Sequence, residues 1–271
     1  HVIRECLVST VFGRGVSTSR IDSTTFEASA DTLYTEGIGI SYAYSPKSDS
    51  MSKFLKQLEQ IMDGIIYFDH SVGKYKIKLI RDDYDEESLT VYDEDDFSIT
   101  TYSKPSYYGL PSETVVMYTD IGSSKKAPAR ADDLSIMRLQ GETPISQTFD
   151  YPMITNPDTA AYIATREQDQ VSRNPASIRI SASRTMYSIQ RGDVFKLSHP
   201  RLTAVGIATI TVRAVAVNRG SLEEGGLTID VVEEVFKDVS ADTSNPSGVD
   251  SDTDGQVISS IALITAINEN Y

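Results

Sequence analysis

ASIRISASRTMYSIQRGDVFKLSHP, residues 176–200, is the stretch whose reading decides the fold. Its first part alternates, with Ile178, Ile180 and Ala182 on one side and Arg179, Ser181 and Ser183 on the other, the period of a half-buried strand. A second strand is expected from Val194 to Ser198, after a reversal in which Gly192 supplies a positive φ and Asp193 bonds neighbouring amides. Two more apolar strands follow, Ile207 to Val217 and Leu227 to Val235, joined by a polar connection with three glycines. Four successive strands predict a meander or small barrel.

Working outward, the N-terminal part reads differently. Val2, Ile3, Cys6 and Leu7 have helical spacing, and Asp22 opens a second helix carrying Phe26, Ala30 and Leu33, followed by a strand from Ile38 to Tyr44. The best-marked helix starts at Ser50. Met51, Phe54, Leu55, Leu58, Ile61 and Met62 form one apolar stripe that must lie on a sheet, and Asp63-Gly64 stops it. A β-hairpin comes next, Ile65–Phe68 with Tyr75–Ile80.

Beyond Phe97 strands dominate, at Ser98–Tyr102 and Thr114–Thr119, with GSSKKAPAR (122–130) read as a mobile loop. Leu134–Leu139 is a short element of open type, and Ile145–Phe149 alternates. Asn156-Pro157 is a cap followed by a first-turn proline, and predicts a helix to Ser172 that buries Ala161, Tyr162 and Thr165 or their neighbours. The expected class is α+β: an α/β sandwich domain over 1–97, a mainly β, barrel-like domain over 98–238, and a polar linker over 239–271. Within that last part, Val257–Ile267 reads as a further strand or the start of a following module.

Composition bounds function. The 271 residues carry a formal charge of −14, which repels phosphate backbones and argues against nucleic-acid binding. No apolar run approaches a membrane span, and the chain, which starts at His1, reads as a piece of something longer. The one cysteine, Cys6, excludes an internal disulfide and reads as a small buried hydrophobe. The lone Gly13-Arg14-Gly15 lacks the lysine of a phosphate loop.

Acidity concentrates in RDDYDEESLTVYDEDD, residues 81–96, with nine carboxylates against one arginine. It reads either as a solvated loop or as a cation site or lumen wall. Asp250, Asp252 and Asp254 match the first half of a calcium loop, but Ile261 stands where the closing glutamate belongs, which favours a linker. His1, His70 and His199 lie far apart, and no G-x-S-x-G elbow supports a serine nucleophile. Neither an enzyme nor a cofactor is expected.

Five segments carry a resemblance to a known family. They are Ala30–Ile40, Met62–Tyr67, Lys76–Asp85, Gln147–Pro152 and Arg191–Phe195, which together resemble phage tail-tip proteins, the hub proteins of siphophage tails, similar to the lambda tip attachment protein and the gene transfer agent tail-tip protein. The resemblance covers about residues 1 to 238. It implies a virion structural subunit of the tail tip: a threefold hub at the distal end of the tail tube, contacting other tail proteins such as the distal tail and tape-measure proteins and reaching the host receptor through adjoining modules. It brings no catalytic residues. On this reading Asp82, Asp83, Asp85, Asp93 and Asp95 face the lumen or a neighbouring subunit, and the exposed faces of the strands near Arg191 to Phe195 form a subunit contact. Two alternatives are a calcium-dependent adhesion module, resting on the loop at Asp250, and a tail-associated cell-wall hydrolase.

Overall fold

A computed structural model describes residues 1–44, 50–141, 143–204, 206–220 and 226–234. Helices α1 (Val2–Val8), α2 (Ser23–Thr35) and α3 (Met51–Met62) precede the hairpin of β1 (Gly64–Asp69) and β2 (Lys74–Leu79), in the expected order. Asp22 opens α2, but its carboxylate turns to Lys76 at 4.0 Å rather than capping the helix, and Phe26 and Ser29 are the buried residues. Residues Ile38 to Tyr44 are not a strand. They run extended without a ladder, Ser41 N–H donating to the Met153 carbonyl at 2.8 Å, while Ile38, Ile40 and Tyr44 pack on the core beside α3.

The C-terminus of α3 is closed by long-range partners. Asp63 takes the left-handed conformation, φ 45°, and its carboxylate accepts from Gln170 at 2.8 Å. Arg166 donates to the carbonyls of Gln60 and Ile61, and Arg81 to those of Met62 and Asp63. Four carbonyls at a helix end, the negative end of its dipole, thus accept from two cations.

The largest sheet is a curled half-barrel. It holds β3 (Val91–Tyr92), β4 (Phe97–Ser103), β8 (Ser177–Ala182), β9 (Val194–Leu197), β10 (Ile210–Asn218) and β11 (Leu227–Glu233), in the order β3-β9-β10-β11-β8-β4. The alternation of the opening stretch holds: Ile178 and Ile180 point into the core, whereas Ser177, Arg179 and Ser181 are exposed. Of the two expected arrangements, a meander or a small barrel, the simple meander does not hold. Strands β9, β10 and β11 follow one another, but β8 lies between β11 and β4. The reason lies in residues 183–193, which are no tight return; the turn Arg184–Met186 buries Met186 and is followed by buried Ile189, so the link itself covers part of the core. Gly192 has φ +89°, and its N–H donates to the Ala214 carbonyl at 2.7 Å. Asp193 accepts from the Gln190 amide at 2.8 Å, the role its place in the turn suggested.

Four residues separate β3 from β4, so the two ends of the sheet come together there. The short helix α6 (Pro200–Thr203) lies alongside, Leu202 in the core and Arg201 donating to the Ile99 carbonyl on β4 at 3.4 Å.

The third sheet has the order β6-β5-β7, from β5 (Glu113–Asp120), β6 (Lys125–Asp132) and β7 (Ser146–Asp150). Residues Lys125 to Arg130, expected as mobile loop, belong to an eight-residue strand paired antiparallel with β5 in unbroken register. Its inward face is Ala127, Ala129 and Ala131, small enough to hide the alternation. Pro128 sits in this edge strand, where a missing N–H costs no ladder bond. Leu134–Leu139 is helix α4, its N-cap Asp133 accepting from the Ser135 and Ile136 amides.

Helix α5 (Pro157–Ser172) is capped by Asn156 as expected. Its buried face is Ala160, Ile163, Ala164 and Gln168, next to the Ala161, Tyr162 and Thr165 face expected from sequence. Gln168 is satisfied there by the Thr114 hydroxyl at 2.8 Å and the Pro111 carbonyl at 3.1 Å.

Pairing and packing both run across residue 97. Strand β3 lies in one sheet with β8 to β11, and Phe54, Leu55, Leu58 and Ile61 of α3 share a core with β5 and α5. A second core inside the half-barrel gathers Phe97, Ile178, Ile180, Phe195, Leu197, Val212 and Ile229.

One charge in the hairpin gives a pH prediction. Asp69 is 6% exposed and accepts from the Ser71 hydroxyl at 2.6 Å, the Lys76 ammonium at 2.9 Å and the Ser71 amide at 2.9 Å. Those bonds, the Ser71 hydroxyl first, hold its carboxyl far below the usual carboxylate range. A depressed folded pKa contributes stability that is complete above the unfolded value of about 3.9 and disappears as pH falls through the folded value. Asp69→Asn is therefore expected to lower the melting temperature at pH 7 and to converge with the parent chain as pH drops below 4, followed by circular dichroism.

Candidate functional site

The acidic run occupies the joint between the α/β part and the half-barrel. Arg81 begins it, paired to Glu36 through two bonds of 2.6 and 2.7 Å while it holds the end of α3. Tyr84 follows, with the Arg213 guanidinium 5.9 Å over its ring. Burial, then the charges of Glu234 and Asp82, push its hydroxyl up to about 12. Arg213 itself is 6% exposed at its side chain and donates to Glu234, 2% exposed, at 2.5 Å. Its other nitrogens donate to the carbonyls of Gly192 and Arg81, at 3.2 and 3.1 Å. One guanidinium so links β10, the turn before β9, the start of the acidic run and the end of the described chain. Lys78 adds a second link across the joint, to Asp193 at 2.9 Å.

Outside this joint the carboxylates face solvent. Asp82, Asp83, Asp85, Asp93 and Asp95 are all exposed. The run is nonetheless ordered by its own acids: Asp85 accepts from the Glu87 amide at 3.2 Å and opens the turn Glu86–Ser88, and Asp93 accepts from the Asp95 amide at 3.0 Å. Asp96 is anchored to the half-barrel, accepting from the Thr185 hydroxyl at 2.6 Å and, through its carbonyl, from the Ser183 amide at 2.7 Å. Such turns use carboxylates as local acceptors for backbone N–H groups.

Two hollows flank the run. One of about 610 Å³ lies between Asp93, Glu94 and Asp95 and the start of α6, including His199 and Pro200. The other, about 310 Å³, lies beside Tyr84 and Tyr92. Among the described residues no three His, Cys, Asp or Glu side chains are placed to hold a metal. His199 is occupied as the N-cap of α6, its Nδ1 accepting from the Arg201 amide, and His70 packs edge-on against Phe68. Asp250, Asp252 and Asp254 lie outside the described residues.

The second expected contact is corrected in part. Arg191 is exposed, its Nε donating to the Val215 carbonyl at 2.7 Å. Phe195, expected on an exposed face, is 3% exposed in the core and meets Tyr92 edge-to-face at 5.5 Å. In Val-Phe-Lys-Leu the two large apolar residues share one side of the strand, and that side is the inside. The Arg213–Glu234 pair was missed, because residues 21 apart, one on β10 and one just past β11, carry no local sequence signal.

No protein-family model matches the chain and no curated protein matches it. Solved structures do. A chain from the virion of a native gene transfer agent particle superposes with a TM-score of 0.53 at 14% identity, over 89% of this chain and 52% of its own. The tail protein from Neisseria meningitidis MC58 gives 0.45 at 11% identity, over 71% and 57%. The 43 kDa tail protein of prophage MuSo2 from Shewanella oneidensis gives 0.37 at 13%, over 68% and 54%. The chain spans about half the length of these proteins. Among the described residues no helix is long and apolar enough to cross a membrane. The chain has an α+β fold shared with a component of the gene transfer agent virion.

Proposed function

We propose that this chain is a structural, non-enzymatic subunit of a phage or prophage tail, a hub at the distal end of the tail tube that takes part in tail assembly and host attachment. The observation that carries this reading is the likeness to the gene transfer agent chain, which extends over 89% of the residues here. In this role three copies form a ring with other tail proteins. The exposed Asp82, Asp83, Asp85, Asp93 and Asp95 face the channel or the adjoining copy; on a channel wall their charge would keep passing DNA from adhering. The test is electron microscopy of particles from the encoding cell, labelled with gold-conjugated antibody against this chain. Label confined to the distal tail end is expected; label on the head, or particles without the chain, would overturn the reading.

A further inference from the structure

Among the described residues the edges of the sheets are guarded, with one exception. Ile21 bridges to Tyr75 beside β2, and on β1 the Ile66 N–H donates to the Glu59 carboxylate at 2.8 Å. Strand β3 is two residues long, and β4 is bulged between Ile99 and Thr101, with Arg201 reaching the Ile99 carbonyl at 3.4 Å. Strand β6 carries Lys125, Lys126, Pro128 and Arg130. Short strands, bulges, prolines and lysines are the devices that keep an edge from pairing. Strand β7 is the other edge of the β6-β5-β7 sheet and has none of them; its one charge, Asp150, is already paired to Lys126 at 2.7 Å.

The hydrogen bonds show which way its backbone points. The Glu113 N–H donates to the Ile145 carbonyl at 3.2 Å and the Tyr151 N–H to the Met117 carbonyl at 2.8 Å, with Glu113 opposite Ser146 and Met117 opposite Asp150. In a parallel ladder that phase gives the odd-numbered residues of this strand to β5 and turns the N–H and C=O groups of Ser146, Thr148 and Asp150 outward. No described strand lies there to meet them. These three residues are exposed, while Gln147 and Phe149 are half-buried and Phe149 packs on the core.

Reversed about Thr148, Ser-Gln-Thr-Phe-Asp is complementary to itself. Thr148 meets the partner's Thr148, the Ser146 hydroxyl lies opposite the carboxylate of the partner's Asp150, and Gln147 lies opposite the partner's Phe149. Exposed residues thus oppose exposed ones and half-buried residues half-buried ones, and each outward residue exchanges two main-chain bonds with its opposite. The two Asp150 carboxylates stay about 13 Å apart along the strands, beyond the Debye length of about 8 Å at physiological salt. With the other edges guarded, β7 is the strand a second copy has to offer.

We propose that two copies of this chain pair antiparallel through β7, with Thr148 on the two-fold axis, joining their β6-β5-β7 sheets into one. A two-fold contact does not close a threefold ring, so this pairing belongs to the free chain and stands apart from the hub reading. The test is sedimentation equilibrium of the whole chain over a concentration series at about 0.15 M salt, for the parent, Thr148→Pro and Thr148→Lys. Thr148→Pro removes an outward N–H and no bond to β5; Thr148→Lys keeps the main chain intact and sets like charges face to face. Reversible dimers of the parent are expected, weakened about tenfold or more in each variant, with parent-like melting by circular dichroism. If Thr148→Pro does not fold, Thr148→Lys decides alone. A parent that stays monomeric up to about 1 mM overturns the proposal and leaves the edge to a strand of another protein. Trimers, or dimers undiminished in Thr148→Lys, overturn it as well by placing the contact elsewhere.

Discussion

Replacing Arg213 by methionine is expected to destabilise the folded chain by about 3–5 kcal/mol, the range for removing one member of a buried ion pair. Glu234, 2% exposed at its side chain, would lose the Arg213 guanidinium, and the carbonyls of Gly192 and Arg81 would lose a donor as well. Urea unfolding measures the loss. The double replacement Arg213→Met with Glu234→Leu should recover more than half of it, because an apolar pair of similar volume leaves no buried charge. Arg179→Ala is the contrast. Its partner Asp230 accepts two bonds, of 2.6 and 3.1 Å, but the pair is on the surface, so the loss should stay at or below about 1 kcal/mol.

The second large effect is at Phe195. Truncation to alanine is expected to cost about 3–5 kcal/mol, the range for a large aromatic removed from a packed core. Phe195 fills the half-barrel opposite Val212 and against the ring of Tyr92. Phe195→Asp should go further and prevent folding, since a carboxylate there would have no water and no paired cation. Near-normal folding of Phe195→Asp, seen by circular dichroism, would show that the side chain is at the surface and that the half-barrel core is wrongly described.

Phe195 also shows what the sequence could and could not disclose. The strand itself was legible, as were β8, α3 and α5, because an apolar period of 2 or 3.6 is written in consecutive residues. The α+β class followed from them. Which face of a short strand is inside is not local information, and here the tie between Val194 and Phe195 is broken only by Leu197. Strand β6 was hidden because alanine both fills the inward positions and carries little hydrophobic signal. Sheet order was hidden too: nothing between Ser183 and Asp193 says that β8 will pair with β4 and β11 instead of β9. The acidic run was visible by composition, yet its buried attachments, Arg81 to Glu36 and Arg213 to Glu234, are made over 45 and 21 residues. Local patterning reaches elements; long-range polar pairs appear only once the fold brings them together.

In the proposed role the chain is one wall of a symmetric hub. Reconstruction by electron cryomicroscopy of the assembled particle, with density for this chain located, tests that most directly. Three copies around the tail axis at the distal end, with Asp82 to Asp95 turned to the channel or to the adjoining copy, is the predicted result. A single copy off the axis, or those carboxylates on the outer rim, would contradict it.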